Sequence, residues 1–245
     1  MDGQSQPSAA QARRTAVVVS ASVSCAEHNP AESLAKALGD GPFALIVLFV
    51  SPDCKSRNLL SEAARIWPDT RITGCSTAGE IAPDVGYTEG TILALAFPGT
   101  HFSVDSILIA DIDARDDQAI ISQVIRHRAA LAQSAGAFDN EFAFLMVDGL
   151  SMQEDQLAST IASGLGTMPM FGGSAGDGTR FESTSVFWEG QPQSNAAVLT
   201  LLRTHCSLRV FSLNHFEPSD RRMVVTGADP ARRLVYEINA EPAAR

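Results

Sequence analysis

Residues 71–80 read Arg-Ile-Thr-Gly-Cys-Ser-Thr-Ala-Gly-Glu, and the small-residue part of this stretch recurs once, at 172–177. With one residue of the first copy skipped, the aligned residues are Gly74, Cys75, Ser76, Ala78, Gly79 and Glu80 in the first copy and Gly172, Gly173, Ser174, Ala175, Gly176 and Asp177 in the second. A repeated core needs only a repeated hydrophobic pattern, whereas a repeated glycine-rich turn indicates a conserved backbone geometry or a held ligand. The repeat therefore predicts two similar units, each with a turn that ends in a carboxylate.

The segments around the two turns recur in the same order. Apolar Phe43–Val50 corresponds to Phe142–Val147, and Thr91–Phe97 corresponds to Ala196–Leu202. Short apolar runs alternate with helical patterns in both copies, which predicts an α/β protein. We expect internally duplicated β-α-β-turn-β-β units with mixed sheets flanked by helices, and an αββα sandwich is one arrangement that would bury both sheets.

The expected domain organisation follows from the repeat. A polar tail, 1–15, precedes two pseudo-repeats, about 16–110 and 111–217, and the pattern changes at 218–245. Three local signals give further expectations. Pro98-Gly99 predicts a hairpin, Ser151 with Glu154 predicts a capping box, and Glu241-Pro242 predicts the start of a helix.

Composition restricts the class of protein. The chain has a net charge of −10 and only two lysines, which argues against a nucleic-acid binder. No run approaches 18 uninterrupted apolar residues and the N-terminus lacks a signal-peptide pattern, so we expect a cytoplasmic protein without a membrane partner. The four cysteines are scattered, which predicts reduced thiols and no zinc framework.

The two glycine turns are the main candidate site. Each follows a predicted strand, as phosphate-cradling loops do, but neither has the lysine of a P-loop. Two interpretations stay open: a tight turn whose backbones approach closely, or a small-ligand pocket lined by backbone N–H groups and the Ser76 hydroxyl. The candidate ligand-binding residues are Gly74, Cys75, Ser76, Gly79, Glu80, Asp148, Gly172, Gly173, Ser174, Gly176 and Asp177.

Asp148 follows a predicted buried strand, where α/β folds bind ligands. It would either contact a ligand or cap its loop. A rival enzymatic interpretation uses Cys75 or Ser76 as the nucleophile of a hydrolase, which requires a base within hydrogen-bond reach. No catalytic residue is predicted by the local sequence.

The histidines differ in their expected roles. We expect His127, between two arginines, to be solvated, and His101 and His205, which the repeat pairs, to be structural. His215 lies in Asn214-His215-Phe216-Glu217-Pro218 at a predicted domain junction. It is the candidate metal or haem ligand.

Three motifs in order, Arg71–Ile81, Phe144–Ser151 and Phe171–Asp177, resemble the FIST domain. The resemblance covers roughly Ala16 to Glu217 as an N-terminal FIST domain, and 218–245 looks like the start of a truncated C-terminal FIST domain. Asn214–Arg222 is also similar to stand-alone FIST proteins described as haem-based nitric-oxide sensors.

This resemblance implies a bacterial sensory domain rather than an enzyme. Such a domain binds a small molecule, either haem with nitric oxide or an amino-acid-like metabolite. It would signal in trans to a histidine kinase or a cyclic-di-GMP enzyme, because no output module is recognised in the sequence. The Cys/Ser-dependent hydrolase is the alternative.

Overall fold

The computed structural model describes residues 17–82, 85–213 and 216–244. Within these ranges the chain forms four α-helices, namely α1 (Pro30–Leu38), α2 (Ser56–Ile66), α3 (Asp117–Ser134) and α4 (Glu154–Leu165). The strands up to residue 210 are β1 (Val19–Ser24), β2 (Phe43–Val50), β3 (Arg71–Ser76), β4 (Glu80–Ala82), β5 (Gly86–Thr88), β6 (Thr91–Pro98), β7 (Phe102–Ile109), β8 (Asn140–Val147), β9 (Met170–Ser174), β10 (Val186–Trp188), β11 (Gln191–Gln193) and β12 (Ala197–Thr204).

Ten of these strands form two mixed sheets with one shared topology, and β4 pairs with β5. The first sheet has the order β1-β6-β2-β3-β10-β11, and the second has the order β7-β12-β8-β9. β2 and β3 run parallel in the first sheet, as do β8 and β9 in the second, and the remaining pairs are antiparallel. The first unit therefore runs from β1 to β6, with the sheet order β1-β6-β2-β3. The second unit runs from β7 to β12, with the corresponding sheet order β7-β12-β8-β9. The α/β prediction is confirmed.

The unit boundary differs from the expected one. β7 pairs along its whole length with β12 of the second sheet, so the second unit begins with β7 instead of after residue 110. The hairpin predicted at Pro98-Gly99 is therefore wrong: β6 pairs with β1 and β2, and the chain crosses to the other sheet. A turn signal shows where the chain reverses, but long-range burial decides which strands pair.

Three clusters of buried apolar side chains fill the spaces between the helices and the two sheets. Alternate residues of β2 point to opposite faces: Ile46 and Leu48 pack with α1 and α2, whereas Leu45 and Val47 pack between the sheets. The second sheet repeats this pattern and packs its outer face on α3 and α4. The result is the four-layer αββα arrangement, in which period-two alternation gives each sheet two buried faces.

Several local details correct the sequence expectations. The helix predicted from Ser151 begins at Glu154 without a side-chain cap, and Ser151 Oγ donates to the carbonyl oxygen of Asp148 at 2.8 Å instead. Cys25 and Cys54 form a disulfide, so the expectation of reduced thiols is wrong for this pair. Cys25 directly follows β1, and Cys54 follows β2, 29 residues further along the chain. The spacing of the cysteines does not predict that these two strand ends lie close together.

The chain after Val210 forms a separate compact region. Its described part contains the three-stranded antiparallel sheet β13 (Val225–Asp229), β14 (Leu234–Ile238) and β15 (Glu241–Pro242). The helix start predicted at Glu241-Pro242 is therefore wrong, because these residues pair with Glu237 and Ile238. Throughout the described ranges, no helix is both long and apolar enough to cross a membrane.

Candidate functional site

The first glycine turn is held by close backbone contact. Gly74 lies opposite Leu48 in the parallel β2–β3 pair, and a Cβ at this position would overlap the Leu48 carbonyl oxygen. Gly172 has the same relation to Leu145 in the β8–β9 pair. The tight-backbone interpretation thus accounts for both glycines, since only a residue without a side chain allows this approach.

Cys75 and Ser76 face the interior. Cys75 packs between the sheets with Leu45 and Val47, and burial raises the pKa of its thiol to about 12. Ser76 Oγ accepts a hydrogen bond from Ser185 N at 3.1 Å. A thiol with this pKa is protonated at neutral pH, so Cys75 lacks the thiolate that nucleophilic catalysis requires.

The two turn carboxylates fasten neighbouring loops. Glu80 is buried and accepts hydrogen bonds from the hydroxyls of Thr77 and Thr91, the latter at 2.7 Å. Asp177 is also buried, and it accepts from three successive backbone N–H groups, those of residues 181–183, at 2.7–3.0 Å. These N–H groups lower the pKa of Asp177, because they stabilise its charged form. Both carboxylates already have protein partners.

Asp148 has a structural counterpart in the first unit. Its Oδ2 accepts from Asn195 N at 2.5 Å, just before β12, and its Oδ1 accepts from Leu150 N at 3.1 Å and from the Thr184 hydroxyl. In the first unit, Ser51 Oγ accepts from Gly90 N at 3.3 Å, just before β6. The same side-chain-to-backbone clasp thus occurs twice, which supports the loop-cap interpretation of Asp148.

The structure brings the two turns into direct contact. Gly176 N donates to the carbonyl oxygen of Ser76 at 3.0 Å. A Cβ on Gly176 would approach Ala78 N to 3.2 Å, so the two turns pack closely. The eleven candidate residues nevertheless do not line one common pocket, because Gly74, Cys75, Ser76 and Glu80 of the first turn are buried.

An accessible cavity lies at the second turn. It measures about 270 Å³ and is lined by Leu145, Val147, Glu154, Asp155, Ala158, Met170, Phe171, Gly172, Gly173 and Ser174. Three of these, Gly172, Gly173 and Ser174, were predicted as site residues. The sequence reasoning missed Phe171, which is 47% exposed, and the carboxylates at the start of α4. The signal in the sequence is a phenylalanine directly before a pair of glycines, Phe171-Gly172-Gly173.

A second, wider cleft of about 610 Å³ lies at the opposite ends of β2 and β3. Trp67, Arg71 and Trp188 line it, and the Arg71 guanidinium lies 5.9 Å from the centre of the Trp188 ring. It contains none of the predicted site residues. Since ligands of α/β folds bind beyond the carboxyl ends of the strands, this cleft lies at the less usual end.

The histidines are arranged differently from expectation. His127 Nδ1 lies 2.7 Å from Asp105 Oδ2, so this side chain has a specific partner and is only half-exposed, contrary to the expected solvated position. His101 and His205 are in contact, with Nδ1 and Nε2 3.3 Å apart. His215, the candidate haem ligand, lies outside the described residues.

Comparison with known protein families identifies the family of this chain. Residues 44–241 match the model of the FIST N domain, and no curated protein matches the chain. The matched stretch includes most of 218–245, whose assignment to a companion C-terminal domain stays a prediction. The matched residues make up most of the chain and include both glycine turns and every strand of the two sheets after β1, apart from Phe43 at the start of β2, and the chain therefore belongs to the FIST family of sensory domains.

Proposed function

We propose that this chain is a non-enzymatic sensory domain that binds a small ligand in the cavity beside β9 and passes its occupancy to a separate protein. The observation that supports this site most strongly is the exposure of the second glycine turn. Gly172, Gly173 and Ser174 are exposed on β9, whereas the aligned residues of β3 are buried. The repeated small-residue turn is thus accessible in the second unit and buried along β3 in the first.

The lining favours an amino-acid-like ligand. Phe171, Met170 and Val147 offer an apolar wall, while Glu154 and Asp155 place two carboxylates at the cavity rim. A ligand amine would pair with these carboxylates, and the backbone groups of β9 would bind its polar atoms. The volume of about 270 Å³ is below the range of about 300–1,000 Å³ typical of sites for drug-sized ligands. A macrocycle such as haem would need a larger space.

Haem with nitric oxide is the second ligand class that the resemblance implies. Its support is the sequence around His215, and a Soret band in the spectrum of the purified full chain would favour it. The proposed output partner is a histidine kinase or a cyclic-di-GMP enzyme acting in trans in the cytoplasm. Co-purification of such an enzyme in a ligand-dependent manner would support this part of the proposal.

Binding is tested by calorimetry on the full chain with a panel of the standard amino acids, followed by variants that separate the two cavities. Ser174 pairs with Val147, which also lines the cavity, so Ser174→Leu adds a larger side chain on the same face of β9 as the cavity and should fill it. We expect it to weaken binding of any amino acid that binds by at least about 10-fold.

Asp155→Asn should also weaken binding of that amino acid, because it removes one rim carboxylate. Ser103→Leu, in the wider cleft, is the matched control and should leave the affinity unchanged. Loss of binding in Ser103→Leu with normal binding in Ser174→Leu would place the ligand in the wider cleft and contradict the proposal.

The hydrolase alternative has a separate test. The buried Cys75 should resist alkylation by iodoacetamide in the folded protein, and Ser76 should resist a fluorophosphonate probe. Rapid stoichiometric labelling of either residue would favour the enzyme.

A further inference from the structure

We propose that His101, His205 and Cys206 form a Zn²⁺ site with an open fourth coordination position. Each residue offers one ligand atom, and the three atoms lie within 4.8 Å of one another. This inference is independent of the ligand cavity beside β9, which shares none of these residues.

The strand register brings the two histidines together. Thr204 pairs with Phe102 at the end of the β7–β12 ladder, so the next residues outward, His205 and His101, lie opposite each other. Their ring centres are 5.1 Å apart. Directly opposed residues of antiparallel strands have Cβ atoms about 4.5–5.5 Å apart, which is close enough for two imidazoles to share one ion.

The chain turns immediately after β12, and this adds the third ligand. Neighbouring side chains of a strand point to opposite faces, but Cys206 lies beyond the strand end. Its N–H donates to Thr204 Oγ1 at 3.0 Å, and its carbonyl oxygen accepts from Asn140 Nδ2 at 3.0 Å. These bonds hold the backbone so that the thiol lies on the same side as the imidazoles.

The opposite side of the cluster is also held. His101 N donates to the carbonyl oxygen of Pro98 at 3.0 Å, and Gly99 N donates to that of Pro42 at 2.9 Å. The ring of Phe138 packs against His205 at 5.4 Å between centres. Three side chains on a restrained backbone lose little freedom on binding an ion.

The ligand set and its spacing fit zinc. Two imidazoles and a thiolate are typical zinc ligands, and Zn–N bonds of about 2.0–2.1 Å place two nitrogens of a tetrahedron about 3.3–3.4 Å apart. The observed separation of His101 Nδ1 and His205 Nε2 is 3.3 Å. Cys206 is half-buried with a free thiol, and its sulfur lies within 4.8 Å of both imidazole ligand atoms. Three protein ligands leave the fourth position for water or another small ligand.

The competing explanation is a plain hydrogen bond between two neutral imidazoles. It requires one nitrogen to carry a proton and donate it to the other, whereas metal binding requires an unprotonated nitrogen with a free electron pair on both rings. Metal titration of the full chain, without an affinity tag, stripped with a chelator and reduced, distinguishes the two. We expect one Zn²⁺ per chain in competition with a chromophoric chelator.

Variants identify the ligands. His101→Ala, His205→Ala and Cys206→Ala should each weaken Zn²⁺ binding by at least about 10-fold, and His127→Ala, whose imidazole contacts Asp105, should not. Co²⁺ is the spectroscopic probe: the thiolate-to-cobalt charge-transfer band should appear in the wild type and be absent in Cys206→Ala.

Circular dichroism establishes that each variant is folded, and His101→Gln replaces His101→Ala if the latter fails to fold. A wild type that binds no Zn²⁺ stoichiometrically would leave only the hydrogen bond and overturn the proposal. So would unchanged binding in His205→Ala and Cys206→Ala.

Discussion

β3 and β9 occupy the same place in the two units but have different surroundings. Both contain a glycine that packs against the carbonyl of a leucine on the preceding parallel strand. The outer edge of β3 is paired with β10, whereas no strand in the described ranges pairs with the outer edge of β9. The repeat has thus kept the backbone geometry and changed the exposure. Equivalent sequence motifs can therefore be structural in one unit and accessible in the other.

The difference originates in the segment between β3 and β6 of the first unit and the equivalent segment between β9 and β12 of the second. In the second unit this segment forms β10 and β11, which extend the first sheet. In the first unit the equivalent segment forms β4 and β5, which pair only with each other among the described residues. The hairpin is therefore contributed in one direction, from the second unit to the first.

The largest expected effect separates the two glycines. Gly74→Ala should destabilise the protein by about 4 kcal/mol or more, because the new Cβ overlaps a carbonyl inside a sheet that is paired on both sides. Gly172→Ala should cost about 1–2 kcal/mol, since β9 has a free side towards which it can shift. Urea unfolding measures both.

Gly173→Ala is the control, because nothing lies within 4 Å of its added Cβ, and it should change stability by less than about 0.5 kcal/mol. Equal losses for Gly74→Ala and Gly172→Ala would show that exposure does not distinguish the two strands.

The disulfide gives the next largest effect and is specific to the first unit. It closes a loop of 29 residues, for which the chain-entropy model gives a stabilisation of about 3.6 kcal/mol. A reductant should therefore lower the urea midpoint of the wild type. The Cys25→Ser/Cys54→Ser double variant should start lower and not respond. Identical midpoints for the wild type with and without reductant would contradict this.

A smaller effect compares the two clasps. Asp148→Asn should lower the free energy of unfolding by about 2 kcal/mol, because an amide nitrogen then faces N–H or O–H donors. Ser51→Ala removes one neutral hydrogen bond and should cost about 1 kcal/mol. If Asp148→Asn unfolds like the wild type and instead loses binding of the amino-acid ligand, Asp148 is a ligand contact.

The smallest expected effect concerns acid stability. The pKa of Asp177 is lowered in the folded protein, chiefly by the N–H groups of Ser183 and Glu182. Its contribution is complete above the unfolded pKa, about 3.9, and is lost as the pH falls through the folded value. Asp177→Asn should therefore flatten the decline of the urea midpoint below about pH 4. A decline as steep as that of the wild type would show that other carboxylates carry it.

The sequence predicted those features that depend on local pattern. The uninterrupted apolar run Phe43–Val50 indicated a strand buried on both faces, and close backbone approach was one of the two interpretations of the glycine turns. Pairing across the repeat was not predictable, because a hydrophobic pattern specifies the face of a strand and not its neighbour. The exposure of Gly172 and the contact of His101 with His205 both depend on such pairing.

The one-way hairpin also has a consequence for the order of events during synthesis. β3 pairs with β10 through Thr73 and Trp188, so the partner of this edge leaves the ribosome about 115 residues later. At about 5–20 residues per second, the nascent first sheet waits on the order of ten seconds with an open edge. A pause in translation within that interval would prolong the exposure, and the first unit alone would be prone to pair with other chains.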